Sequence, residues 1–217
     1  GLIMPMYFIP LAEDTGQIVP IGEWVLRSAC RQLKSWHQQG QTQLSVAINL
    51  SPRQFQQQDI PALVREVLDE TGLPPASLHL ELTENIILRQ SESATNALRQ
   101  LKALGVLLAI DDFGTGYSSL GYLKRFPVDI IKIDQSFVLD LIANPDAAFI
   151  IRAIISMAKS LNMKTVAEGV ETREQMDFLV ESGCDAIQGF YISRALPAEE
   201  YLRFVMQSVS GGAPGGG

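Results

Sequence analysis

Apolar positions along the chain switch repeatedly between helical spacing and short β-rich runs. Ile21, Val25, Ala29, Leu33 and Trp36 form one helical stripe, with Pro20 suited to its first turn and Gly40 ending it. Residues 44–50 then predict a strand. Residues 63–68 continue a second helix closed by Gly72, 78–83 predict a strand, and 94–104 a helix stopped by Gly105. The rhythm repeats with strands at 106–111 and 129–134, separated by a short helix near 120–125. Ala147, Ile150, Ile151, Ile154, Ile155 and Ala158 make the clearest amphipathic helix. A strand at 164–168, a helix opened by the capping-box pair Thr172 and Gln175, a strand at 185–189 and a helix opened by Pro197 complete the series.

Strands alternating with helices of this length give parallel βαβ units, hence a doubly wound sheet or a (β/α)8 barrel. Six strands and seven helices are predicted, whereas a closed barrel needs eight strands. Either the sheet is open or two strands lie before residue 1.

The placement of polar residues favours the barrel. Asn49, Glu81, Asp111 with Asp112, Lys132, Glu168 and Gln188 each fall at or near the C-terminal end of a predicted strand. Two residues earlier, on the same face, come Ala47, His79, Ala109, Ile130, Val166 and Ala186, mostly small or aliphatic residues able to line an interior. Taken singly, an Asp-Asp pair before glycine also makes a simple turn, and a strand-end Glu or Asn a cap. Their coincidence at one end of six successive strands is how a barrel assembles an active site.

The chemistry of that set is narrow. Asn49, Glu81, Asp111, Asp112 and Glu168 are hard oxygen ligands, suited to Mg2+ or Mn2+ rather than zinc. Clustered carboxylates repel one another and hold protons unless a cation neutralises them. Adjacent Asp111 and Asp112 could serve two metals about 4 Å apart, an arrangement used for phosphodiester hydrolysis. Lys132, one strand over, could hold a nucleophilic water or offset transition-state charge. The loop that follows contains Gly114 and Gly116, which allow close backbone approach to a ligand.

Composition sets limits. The 217-residue chain is 47% hydrophobic, enough for a sizeable core. Its net charge of −7 argues against nucleic-acid polymers and anionic membranes but is silent on a small phosphorylated ligand held through a metal. Cys30 and Cys184 are read as reduced core residues of a cytoplasmic domain, His79 as an interior residue and His37 as a surface one. No apolar run reaches the roughly 18 residues of a membrane span, so no membrane contact is expected of this segment.

The runs Asn49-Leu50-Ser51, Glu81-Leu82-Thr83-Glu84, Asp111-Asp112-Phe113-Gly114-Thr115-Gly116-Tyr117-Ser118-Ser119-Leu120, Ile131-Lys132-Ile133-Asp134, Glu168-Gly169-Val170-Glu171 and Gln188-Gly189-Phe190 occur in the order found in EAL domains, which this chain resembles over residues 1–207. Residues 208–217 are expected to form a flexible tail, Gly-rich from Gly211. The resemblance implies a TIM-like (β/α)8 barrel that hydrolyses cyclic di-GMP to linear pGpG with two Mg2+ or Mn2+ ions. It implies that Asn49, Glu81 and Asp111 hold one ion, and Asp111 and Asp112, helped by Glu168, the other. Lys132 would position or deprotonate the water, Gln188 would be a further polar group of the site, and Glu171 an accessory acid near the substrate. Glu84 resembles the residue anchoring the loop of Phe113, Gly114, Thr115, Gly116, Tyr117, Ser118 and Ser119, which in the family couples homodimerisation to metal binding. The family's first two strands, its Gln-Pro substrate contact and its Glu-Ala-Leu motif, with a metal-binding Glu and a phosphate-binding Arg, would precede residue 1. The chain alone is therefore expected to be weakly active and to be unstable, rearranged or swapped with a neighbour. A catalytically silent cyclic-di-GMP receptor or dimerising module is the alternative that the resemblance leaves open.

Overall fold

The computed structural model describes residues 3–84, 92–114, 123 and 126–210. In chain order its elements are α1 (Pro5–Thr15), α2 (Ile18–Gln38), β1 (Val46–Leu50), α3 (Pro52–Gln57), α4 (Ile60–Thr71), β2 (Leu78–Thr83), α5 (Glu92–Leu104), β3 (Leu107–Phe113), β4 (Ile130–Ile133), α6 (Gln135–Asp140), α7 (Pro145–Ser160), β5 (Lys164–Ala167), α8 (Arg173–Glu181), β6 (Ala186–Ile187) and α9 (Ala198–Ser210). A single 3-10 turn, Pro75–Ser77, leads into β2. All six predicted strands are present. Of the expected short helix near 120–125 only Leu123, a buried helical residue, lies within the described residues, and nothing of the Gly-rich end from 211 does, while α9 continues to Ser210.

Helix boundaries follow local chemistry. Ser51 and Gln54 form a reciprocal capping box at the start of α3, and Thr172 and Gln175 form another at α8, as their spacing predicts. Asp59, Asp134 and Asn144 accept backbone N–H groups at the starts of α4, α6 and α7. Helix α1 has no counterpart in the sequence reading. It carries Pro10 in its interior and buries only Ala12, so no apolar stripe marks it. The Arg53 guanidinium caps its last carbonyls, Glu13 O and Asp14 O.

The strands pair in parallel in sequence order, β1 to β6. With the strands parallel in sequence order, the helices pack on one face of a curled sheet. Alternate residues Ile48, Leu50, Leu78, Leu80, Leu82, Leu108, Ile110, Ile131, Ile133 and Ala167 are buried toward those helices, among them Leu33, Val64, Leu98, Leu101, Ile151, Ile155 and Leu179. The other face carries Asn49, Glu81, Asp111 and Lys132 at its C-terminal end. Over the described residues this is six strands of TIM-type barrel wall rather than a closed ring. On the edge strands the trough-facing Ala47, Asn49 and Ala186 are exposed, whereas Ala109 and Ile130 in the middle are buried.

Two expectations change. Strand β3 runs on to Phe113, which is a core residue rather than part of a loop. His37 is buried rather than superficial, its Nε2 2.8 Å from Leu44 O, where it ties the end of α2 to the approach to β1. Cys30 is buried and free, its thiol pushed up to about 11 by burial.

Candidate active site

The site begins with an irregularity. In the β3–β4 ladder Ile110 pairs with Ile131 and Phe113 with Ile133, so Asp111 and Asp112 together oppose the single Lys132. An extra residue of this kind is a β-bulge, which bends the strand and re-aims side chains. In a regular strand adjacent side chains would point to opposite faces. Here Asp112 adopts φ 54, the left-handed region that Asp tolerates better than most residues. The result is that Asp111, Asp112 and Glu168 each offer an oxygen, all within 4.8 Å of one another.

Lys132 occupies the centre. Its ammonium lies 2.6 Å from Glu81 Oε2, 2.7 Å from Glu168 Oε1 and 2.9 Å from Asp111 Oδ1, joining four strands or strand ends through one charge. Lys132 and Glu81 are 5% and 7% exposed, so solvent screens their contact little. Burial by itself would lower the Lys132 pKa, but the three carboxylates outweigh it and hold the ammonium well above the ordinary lysine range. One cation does not balance the cluster. Burial pushes Glu81 and Glu168 upward against the pull of Lys132. Asp112, although exposed, is raised first by partial desolvation and then by Asp111, Asp134 and Glu168. The Asn49 side chain pulls the Glu81 pKa down, which extends the set to β1.

Glu168, Glu171 and Gln188 line a neighbouring cavity of about 240 Å³ with Gln135, Gly169, Gly189 and Phe190. Glu168 is shared between this cavity and the lysine cluster, so Glu171 and Gln188 meet the site through the cavity, not through Lys132. Two glycines permit its shape. Gly169 has φ 70, and a Cβ there would meet Gln135 Cβ at 2.6 Å. A Cβ on Gly189 would fall 2.1 Å from Val170 O. Gly114, φ 102, packs on Phe137, and both Glu84 carboxylate oxygens are buried without a hydrogen-bond partner among the described residues. Thr115, Gly116, Tyr117, Ser118 and Ser119 lie outside the described residues.

Sequence reasoning gave no role to Asp134, which faces Asp112 and caps α6 through the Ser136 N–H at 2.9 Å. The signal was available: Asp134 is two residues beyond Lys132 and so on the same face. Gln135, whose side chain lines the cavity, carried no such signal.

The residues fit a divalent metal. All donors are hard oxygens, three of them converge, and the excess of carboxylate over ammonium keeps Glu81, Asp112 and Glu168 above their ordinary range, a repulsion that a divalent cation relieves.

A parallel barrel wall with an acidic, lysine-centred site at the C-terminal strand ends defines a TIM-like protein with its chemistry at that face. The EAL domain family model matches residues 1–195, and the chain belongs to that family. It is 48% identical over 205 residues to the bifunctional diguanylate cyclase/cyclic di-GMP phosphodiesterase MucR of Pseudomonas aeruginosa, covering 94% of this chain and 30% of that protein. It is 45% identical over 206 residues to the cyclic di-GMP phosphodiesterase NbdA of the same organism, covering 94% of this chain and 26% of NbdA. A solved structure of the PaMucR phosphodiesterase in complex with c-di-GMP superposes with a TM-score of 0.90 at 48% identity, covering 93% of this chain and 81% of that one. The chain thus spans between about a quarter and a third of the curated relatives' lengths. No helix among the described residues is long and apolar enough to cross a membrane.

Proposed function

We propose that this chain is the phosphodiesterase unit of a cyclic-di-GMP hydrolase, converting the cyclic dinucleotide to linear pGpG with two Mg2+ or Mn2+ ions. The observation that carries the reading is the bulge-driven convergence of Asp111 and Asp112 with Glu168 beside Lys132. The named activities of MucR and NbdA support the substrate.

Asn49, Glu81, Asp111, Asp112 and Glu168 would hold the ions, which supply charge neutralisation at the phosphodiester and a lowered pKa for water. Lys132 is held protonated by its carboxylates, which suits it to orient a water or to carry phosphate charge rather than to remove a proton. Glu171 and Gln188 face the cavity that adjoins the cluster through Glu168, where they would contact the nucleotide. Residues 1–207 would form the EAL unit, acting in the cytoplasm. Homodimerisation near residues 112–120, with Glu84 as anchor, belongs to the same reading and is checked by sedimentation of a Glu84→Gln variant.

The test is turnover of cyclic di-GMP, with Mg2+ or Mn2+, by the longer protein and by this chain, beside Asp111→Ala. Hydrolysis by the longer protein, weaker turnover by this chain, and loss of at least about 100-fold in the variant are expected. Equal turnover by variant and parent would remove the metal role. Binding without turnover would instead identify a silent receptor.

A further inference from the structure

The peptide after β5 carries both Glu168 and Glu171, yet only one helical cap lies next to it. Gln175 does more than complete that cap. Its side chain is 4% exposed. Its Oε1 accepts from Glu171 N–H at 2.7 Å and Thr172 N–H at 3.0 Å, and its Nε2 donates to Val138 O at 3.0 Å in a buried bond. A capping box requires only the Thr172 bonds. The bonds to Glu171 and Val138 reach outside the cap in opposite directions. Val138 belongs to α6, the helix that begins directly after the β4 segment bearing Lys132 and Asp134.

A second contact joins the same two peptides, because Gly169 packs against Gln135 at the start of α6. On the other side, Val170 donates to Gln188 O at 3.1 Å and accepts from Tyr191 N–H at 2.9 Å. The segment 168–172 is therefore held toward β6 by Val170, toward β4 at its first residue by Glu168 N–H donating to Ile133 O at 3.1 Å and by the Lys132–Glu168 ion pair, and toward α6 at its far end, residues 171–172, by the Gln175 amide. Buried amides with all partners in place restrict geometry because any displacement leaves a polar group unsatisfied.

We infer that Gln175 is a positioning residue that fixes the far end of the peptide following β5 against α6 and so, together with the Glu168 bond to Ile133 O, sets the placement of Glu168 in the metal group and of Glu171 in the cavity. This rests on Glu168 being a metal ligand. Partners that orient ligands from outside a metal site typically alter metal affinity by about 10–100-fold when removed.

The experiment is Mn2+ binding by electron paramagnetic resonance on the full chain, with thermal unfolding in parallel, for wild type, Gln175→Met, Gln175→Glu and Thr172→Ala. Gln175→Met, which loses every side-chain bond, should weaken Mn2+ about 10–100-fold. Gln175→Glu keeps the two accepted bonds but sets a buried acceptor oxygen against Val138 O in place of the donor, so it too should weaken Mn2+. Thr172→Ala removes the cap while sparing the bridge, so it should lower the unfolding temperature and leave Mn2+ affinity within about twofold. Folded Gln175→Met with wild-type affinity, or Thr172→Ala as weak as Gln175→Met, would overturn the positioning role. Should Gln175→Met fail to fold, Gln175→Glu decides: reduced affinity supports the role and wild-type affinity overturns it. A wild-type chain that binds no Mn2+ overturns the metal reading, and this inference with it.

Discussion

Asp112 shows most directly what the site does to a single side chain. It sits at positive φ, its neighbour Asp111 and the facing Asp134 and Glu168 are acidic, and partial desolvation together with these charges raises its pKa even though the residue is exposed. A carboxyl raised in the folded state binds its proton more tightly there than in the unfolded chain. The resulting stability is full below the unfolded value of about 4 and is lost as pH rises through the folded value. Asp112→Asn removes that loss, and Asn tolerates the same backbone. In chelator, the variant's unfolding temperature relative to wild type should therefore rise between pH 4 and pH 7.5. A relative fall would mean that the carboxylate is favourably paired. Lys132 makes the opposite case. Lys132→Met strands three carboxylates, two of them largely buried, and should cost about 3–5 kcal/mol in urea unfolding at neutral pH. Mn2+ should restore more stability to that variant than it adds to wild type.

At the scale of elements, β3 and the β5–α8 connection do the positioning. The β3 bulge turns two consecutive aspartates toward one face, something no straight strand does. The connection after β5 depends on close backbone approach at Gly189, where a Cβ would lie 2.1 Å and 2.3 Å from Val170 O and N. Backbone cannot yield as a flexible side chain does, so Gly189→Ala should destabilise by about 3 kcal/mol in urea unfolding. Thr172→Ala should cost about 1 kcal/mol by the same measurement, the usual worth of a helix N-cap. Similar losses in the two variants would mean that the Gly189–Val170 approach relaxes easily.

For the whole molecule, the decisive feature is that the described sheet has edges. β1 and β6 each pair on one side only, and the trough face of β1 exposes Ala47 and Asn49. Unpaired edges template association with other strands. Velocity sedimentation of the isolated 217-residue chain should show self-association that grows with concentration, and its circular dichroism a broad unfolding transition. A sharp, cooperative monomer would contradict this. The exposure of Asn49, against the burial of Glu81 one strand away, also places the weakest part of the candidate metal group at this edge.

The strand series and most helices were legible because each must bury one face, and burial imposes a period on the chain. The candidate ligands were legible for a related reason: polar residues at successive strand ends have no use in a core. Helix α1 was not, since it buries almost nothing, and His37 was not, because a hydrogen bond to Leu44 decides its burial. Nor could spacing show that Asp111 and Asp112 share a face. That follows from a register shift against β4, a property of two strands together. The Gln175 bridge likewise joins residues 37 positions apart. The chain's local pattern therefore determined which elements form and which chemistry they carry, while only the packing of strand on strand decided how those groups meet.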